Sequence, residues 1–323
     1  MRMTRPGLIA LHLVVAASLI AAPTHAQRPS AAAPRDPEAT VVDDLVVTAK
    51  FGGPAWWRVS KGNSVAWVLG VPIGLPRGFK WDTRYLDAHL AGARQMITPA
   101  VSTAGLFSIP AILSLRGKMK SRTPLEDTLT PDLRARFVAG ARALGQDPSR
   151  YDHWNGLYAG FLMISDVRKA SRTDNFDPLP EIDHAARAHG LSPKPAAVYK
   201  AMPILKAGVA ELNVEVEQAC LAEALDQVDG GPQRLRRAGE GWARGDVKLA
   251  LTAPFGFDHC LNMLPEGARI ARQAMADEAG AIGAALERPG VSVVVLPLRP
   301  LLAQGGVLEQ LAAKGYVVRA PDH

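Results

Sequence analysis

The chain has 323 residues, 37 of them Lys or Arg and 31 Asp or Glu, with two cysteines. That length allows one large domain or two small ones. The formal charge of +6 is spread along the sequence, and its short basic cluster, Arg234-Leu235-Arg236-Arg237, has acidic neighbours. This is the pattern of a solvated helix face and gives no sign of a nucleic-acid partner.

Arg2 and Arg5 precede a run from Leu8 to Ala22 that is apolar apart from His12 and Ser18, and Pro23 breaks it before Thr24-His25-Ala26. These are the three parts of a secretory signal, with cleavage expected before Gln27. An uncleaved anchor is the competing reading, but the run is shorter than the ~20 residues a spanning helix needs. No later stretch is long and apolar enough to cross a bilayer. Residues 1–26 are therefore read as a signal peptide and the protein as periplasmic or secreted. In an oxidising compartment Cys220 and Cys260 invite a disulfide, with two buried thiols as the alternative.

Residues 27–53 read as a disordered linker, rich at first in Ala, Pro, Arg and Ser. Within it, Asp43-Asp44-Leu45-Val46-Val47-Thr48-Ala49 resembles the short TonB box of outer-membrane receptors, a segment that pairs as an added strand. The chain is far too short for the barrel of such a receptor, so a short apolar strand or linker is the simpler reading. The folded domain is expected over 54–323.

Ala55–Val59 and Ser64–Leu69 are β-prone and joined by turn residues around Gly62-Asn63, which predicts a hairpin. A helix is expected from about Asp82, with Leu86, Leu90 and Ala93 on one face, and a returning strand over Arg94–Thr98. Helices follow near 103–119, 131–145, 152–170, 181–189, 206–228, 233–251 and 266–287, with a stop at Asp229-Gly230-Gly231-Pro232. The chain closes with a strand over Val291–Leu296, a helix over Val307–Lys314 and a strand at Gly315-Tyr316-Val317-Val318. The valine run suggests a strand buried on both faces. The fold class is thus α/β, a sheet formed from N- and C-terminal strands and covered by a largely helical middle section.

The two ends together resemble the TraB/GumN family, related to the Tiki proteases. The first block is Pro54-Ala55-Trp56-Trp57-Arg58-Val59, followed by Leu69-Gly70-Val71-Pro72-Ile73-Gly74-Leu75-Pro76. The last runs from Val293 to Arg299, then from Gly305-Gly306-Val307-Leu308 to Gly315-Tyr316-Val317-Val318. Between them, Gly241-Trp242-Ala243-Arg244-Gly245-Asp246 matches the family's Trp-x-x-Gly-Asp element. The resemblance implies metal-dependent hydrolysis, with histidines and carboxylates of two Gly-x-x-His half-motifs holding a divalent ion such as manganese or cobalt.

The expected ligands are replaced. Ile73 stands where the first motif has His, Pro99 falls near the acidic residue ending the next strand, Lys200 takes the place of a strand-end Glu, and Arg299 stands at or beside the second His. Ile and Pro offer no side-chain donor, and Lys and Arg repel a cation. No metal or other cofactor is expected. The candidate site is a binding cleft carrying Gly70, Ile73, Pro76, Pro99, Lys200 and Arg299, where Arg could hold an anion or peptide carboxylate or make a structural ion pair.

Relocated ligands would have to come from His89, His153, His184, His189, His259 or His323, with Asp152, Asp183 or Asp258. Gly105-Leu106-Phe107-Ser108-Ile109 lacks the second Gly of a nucleophile elbow, and no metalloprotease His-Glu-x-x-His, phosphate loop or dinucleotide fingerprint occurs. Three readings remain open: a non-catalytic binding protein of the fold, a hydrolase with relocated ligands, and an envelope partner-binder that docks through residues 43–49. The partner in either binding reading is an unidentified envelope protein or peptide.

Overall fold

The computed structural model describes residues 36–49, 52–72, 75, 79–105, 108–170, 178–253 and 258–321. The expected signal peptide, the expected linker up to residue 35, Ile73, Pro76 and His323 lie outside them. Strands β1 (Trp56–Lys61) and β2 (Ser64–Val71) form the expected antiparallel hairpin, with Trp56 opposite Leu69 and Lys61 opposite Ser64. Its two-residue loop begins at Gly62, whose φ of 53° suits glycine at a tight hairpin turn.

Helix α1 (Arg84–Ala91) buries Leu86 and Leu90 one turn apart, while Asp82 accepts the Arg84 N–H at 3.0 Å just ahead of it. Strands β3 (Ala93–Thr98) and β4 (Val101–Thr103) follow, then α2 (Ile109–Lys118), α3 (Pro131–Ala143), α4 (Gly156–Ala170) and α5 (Leu179–Ala188). Short strands β5 (Lys194–Pro195) and β6 (Val198–Lys200) lead into α6 (Ala201–Glu211), α7 (Val214–Ala243), α8 (Val247–Ala250), α9 (Asp258–Asn262) and α10 (Pro265–Leu286). The chain ends with β7 (Gly290–Pro297), α11 (Leu298–Leu302), α12 (Val307–Ala313) and β8 (Val317–Arg319).

The N- and C-terminal strands meet in one mixed sheet of order β5-β3-β7-β2-β1-β8, with helices around it. Strand β7 lies between β2 and β3, parallel to both. Val293, Val294, Val295 and Leu296 are fully buried, because a parallel strand covered on both faces leaves no side for water. The closing strand β8 pairs antiparallel with β1 and is separated from β7 by β2 and β1.

Helical boundaries differ from the pattern in several places, and the helix expected over 233–251 is divided at Gly245 between α7 and α8. The break expected at Asp229–Pro232 is a kink inside α7, where Gly231 takes φ 58° and ψ −179°. The separation falls earlier, at Asn213, whose side chain caps α7 by accepting the Val216 N–H at 3.0 Å. The helix expected from residue 103 starts at Ile109, because Val101–Thr103 pairs in parallel with Val198–Lys200 in a small separate sheet.

The main core surrounds the large sheet. A second one, containing Phe137, Tyr151, Met163 and Leu221, fills the space between α3, α4 and α7. A third, smaller cluster surrounds the Cys220–Cys260 disulfide, which ties α7 to α9.

The segment 36–49, expected as disordered linker, is laid along the domain. Val42 donates to the Leu302 carbonyl and Gln304 to that of Thr40. The Val47 carbonyl accepts from Val247, the Ala49 N–H reaches Gly245, and the Val47 side chain is buried. Local composition cannot show this, because the partners lie about 200 residues away. The TonB-box-like stretch spends its backbone on the chain itself, and Asp43–Leu45 is a short 3-10 turn.

Candidate functional site

Ligands of open α/β sheets collect beyond the carboxyl ends of parallel strands. In this sheet those are the ends of β2, β3 and β7. Gly70 sits in β2 opposite Leu296 of β7. A Cβ there would lie 2.6 Å from Leu298 Cδ1, 3.1 Å from Leu301 Cδ2 and 3.3 Å from the Trp57 ring, so a larger residue would force the leucines of α11 to shift away from the strand. The Gly70 carbonyl accepts the buried Trp242 Nε1–H at 2.7 Å. Trp242 opens the Trp-x-x-Gly-Asp element, whose Asp246 caps α8 through the Leu249 N–H at 2.9 Å. Sequence blocks 170 residues apart or more thus meet at one strand end.

Pro99 is half-buried just beyond β3. The next residue, Ala100, donates its N–H to Glu278 Oε1 at 3.1 Å. Burial pushes the Glu278 carboxyl up to about 7, against the Ala100 hydrogen bond and with help from the neighbouring Asp277 charge. Asp277 accepts the Tyr199 hydroxyl at 2.6 Å; burial first, then this hydrogen bond, raises the Tyr199 phenol. Lys200, the residue after Tyr199, is exposed. Pro99 and Lys200 therefore belong to two chain segments that are both tied to α10.

Arg299 is turned to other groups. It follows β7 on α11, half-buried, and donates to the carbonyls of Leu251 at 2.5 Å and Ala253 at 3.1 Å. Burial lowers its pKa, while the Glu38 and Asp36 charges hold it up. Nearby lies a cluster that sequence reading missed. His259 Nδ1 bonds Asp36, and its Nε2 lies 3.3 Å from Glu223 Oε1. Asn262 donates to Asp36 at 2.9 Å.

The Asp36 hydrogen bond raises the His259 pKa above its ordinary value against the effect of burial, and the Glu223 and Asp36 charges add to it. Burial pushes Asp36 up, but the bonds from His259, the Glu38 N–H and Asn262 outweigh it and leave the carboxyl below its usual range. Burial also raises Glu223. Both imidazole nitrogens are engaged by carboxylates of the chain itself. His259 is thus a clasp for the 36–49 segment. The sequence offered His259 only as one of several histidines available as relocated ligands, and Asp36 carried no signal at all.

The chain matches the TraB/PrgY/gumN family model over residues 55–320. It belongs to that family. No curated protein and no solved structure matches it. The match spans the blocks that converge at Gly70.

A divalent ion of the kind the resemblance implies needs several lone pairs converging on one point. The positions named for it give a proline, an exposed lysine and an arginine bonded to two carbonyls; Ile73 and Pro76 lie outside the described residues. Among the described residues no group of three or more His, Cys, Asp or Glu side chains could hold a metal ion.

Proposed function

We propose that this TraB/PrgY/gumN protein is an exported, non-catalytic member of its family that serves as a binding protein in the cell envelope, its partner a protein or peptide. The observation that carries this reading is Arg299: the strand end where the resemblance implies a histidine ligand holds a cation, spent on the carbonyls of Leu251 and Ala253. Export is supported by the three-part N-terminal signal and by the Cys220–Cys260 disulfide, a bond that persists in oxidising compartments.

Two other readings have less support. Relocated ligands find their best candidate in His259, whose two nitrogens both face carboxylates. Docking through residues 43–49 would require a partner to displace the Val47 and Ala49 hydrogen bonds. The test is hydrolysis of unstructured peptides by the purified protein with manganese or cobalt added. Turnover above the metal-only control overturns the proposal; none above it, together with retained folding, supports it.

A further inference from the structure

The small parallel pair β4–β6 carries α2 and α6, which pack against each other. Apolar side chains are turned outward here: Ile109 is 54% exposed, Leu113 60%, Val198 60% and Leu205 45%, and α6 buries no residue fully. Ile109, Ile112, Leu113 and Arg116 recur at i, i+3, i+4 and i+7, so they form one stripe along α2. At its end the Arg116 guanidinium lies 5.2 Å from the Trp154 ring centroid. Trp154 leads on to Tyr158 at 4.3 Å, and Tyr158 to Phe161 at 5.9 Å.

Charge identifies what this face meets. Polarity in α2 is segregated along the axis, with an apolar first half followed by Arg116, Lys118, Lys120 and Arg122, all exposed. Lys200 precedes α6 and Lys206 lies within it, and both are exposed as well. No Asp or Glu occurs between Asp87 and Glu126, or between Asp183 and Glu211. The carboxylates of α10 that touch these segments are occupied, Asp277 by Tyr199 and Glu278 by burial and Ala100.

We infer that α2 and α6 dock the protein on an anionic phospholipid bilayer, the apolar end of α2 entering the acyl boundary and the basic collar meeting the headgroups. Apolar burial together with Lys and Arg at the headgroup level is the physics of interfacial binding, and an aromatic row with a cation suits the same depth. The inference stands whether or not the strand-end site is catalytic.

Flotation of the purified protein with phosphatidylglycerol vesicles tests it, with phosphatidylcholine vesicles as control. Binding to the anionic vesicles alone, weakened by high salt, is expected. I112E/L113E should abolish it. R116Q/K118Q/K120Q should weaken it about a hundredfold, at roughly 1 kcal/mol per cation, and decides the matter if the first variant does not fold. Failure of the wild-type protein to float with anionic vesicles overturns the inference. So does unchanged flotation of the folded variants, or a variant that only changes the oligomeric state, which would make the face a contact between proteins.

Discussion

Buried Glu278 and half-buried His89 are titratable groups whose effects on stability run in opposite directions. Burial raises Glu278 to about 7, so the fold holds its proton more tightly than the unfolded chain does. Its contribution is full below the unfolded value near 4.5 and is lost as pH rises to about 7. His89 is stacked on Trp67 at 4.4 Å and set edge-on to Trp56 at 4.7 Å. Burial lowers it to about 4, so its contribution is present above the unfolded 6.5 and is lost as pH falls towards 4. The two partly cancel in the wild-type protein. Glu278→Gln keeps an acceptor for Ala100, removes the opposing slope and should add on the order of 2–3 kcal/mol at pH 8 relative to pH 4.5. Urea unfolding at several pH values reads this directly. At the clasp, His259→Ala leaves Asp36 buried without its strongest partner, at about 1–3 kcal/mol. Hydrogen exchange should quicken over residues 36–49 while the strands of the sheet keep their protection. The His259 contribution is held below pH 6.5 and lost as pH rises through its raised value; that of Asp36 is held above 3.8 and lost as pH falls through its lowered one.

Elements were legible where their causes are local. The β1–β2 hairpin follows from alternation and turn residues, and β7 from its valine run. The sheet built from the two ends of the chain follows from the β-rich blocks and from the family resemblance together. What was not legible depends on distant partners: β4 and β6 are three residues each, and their strand pairing is with each other across about 100 residues. Glycine shows the difference. Gly231 looked like a helix stop, yet α7 resumes after a single residue in a conformation almost reserved for glycine. Gly231→Ala should therefore destabilise by about 1–3 kcal/mol through strain, although nothing lies within 4 Å of its Cβ position. Gly70 is limited by contact instead: Gly70→Ala pushes Leu298 and Leu301 outward, at roughly 1–3 kcal/mol, and should loosen α11. Comparing the two by chemical unfolding, with hydrogen exchange over 298–302, separates strain from crowding.

For the whole molecule, the main core is closed by contacts between its two ends, while the helical middle has cores of its own. The disulfide closes a loop of 40 residues between α7 and α9. Its removal as Cys220→Ser with Cys260→Ser should cost about 3–4 kcal/mol and lower Tm in the same direction as reduction of the wild-type protein. Of the candidate site, the sequence could offer an expectation of which donors are replaced, because that depends on residue type at a motif position. It could not show that Arg299 turns to Leu251 and Ala253, or that Asp36 closes on His259 across 223 residues. The measurement that bears most directly on a non-catalytic role is calorimetric titration of the purified protein with manganese, cobalt and zinc, read beside thermal unfolding. An ion at a hundred times its Kd would stabilise the fold by about 2.7 kcal/mol, an easily seen shift. The replaced donors predict no stoichiometric binding and an unchanged Tm. One ion per chain with a raised Tm would contradict them, and would make the remaining histidines the residues to mutate.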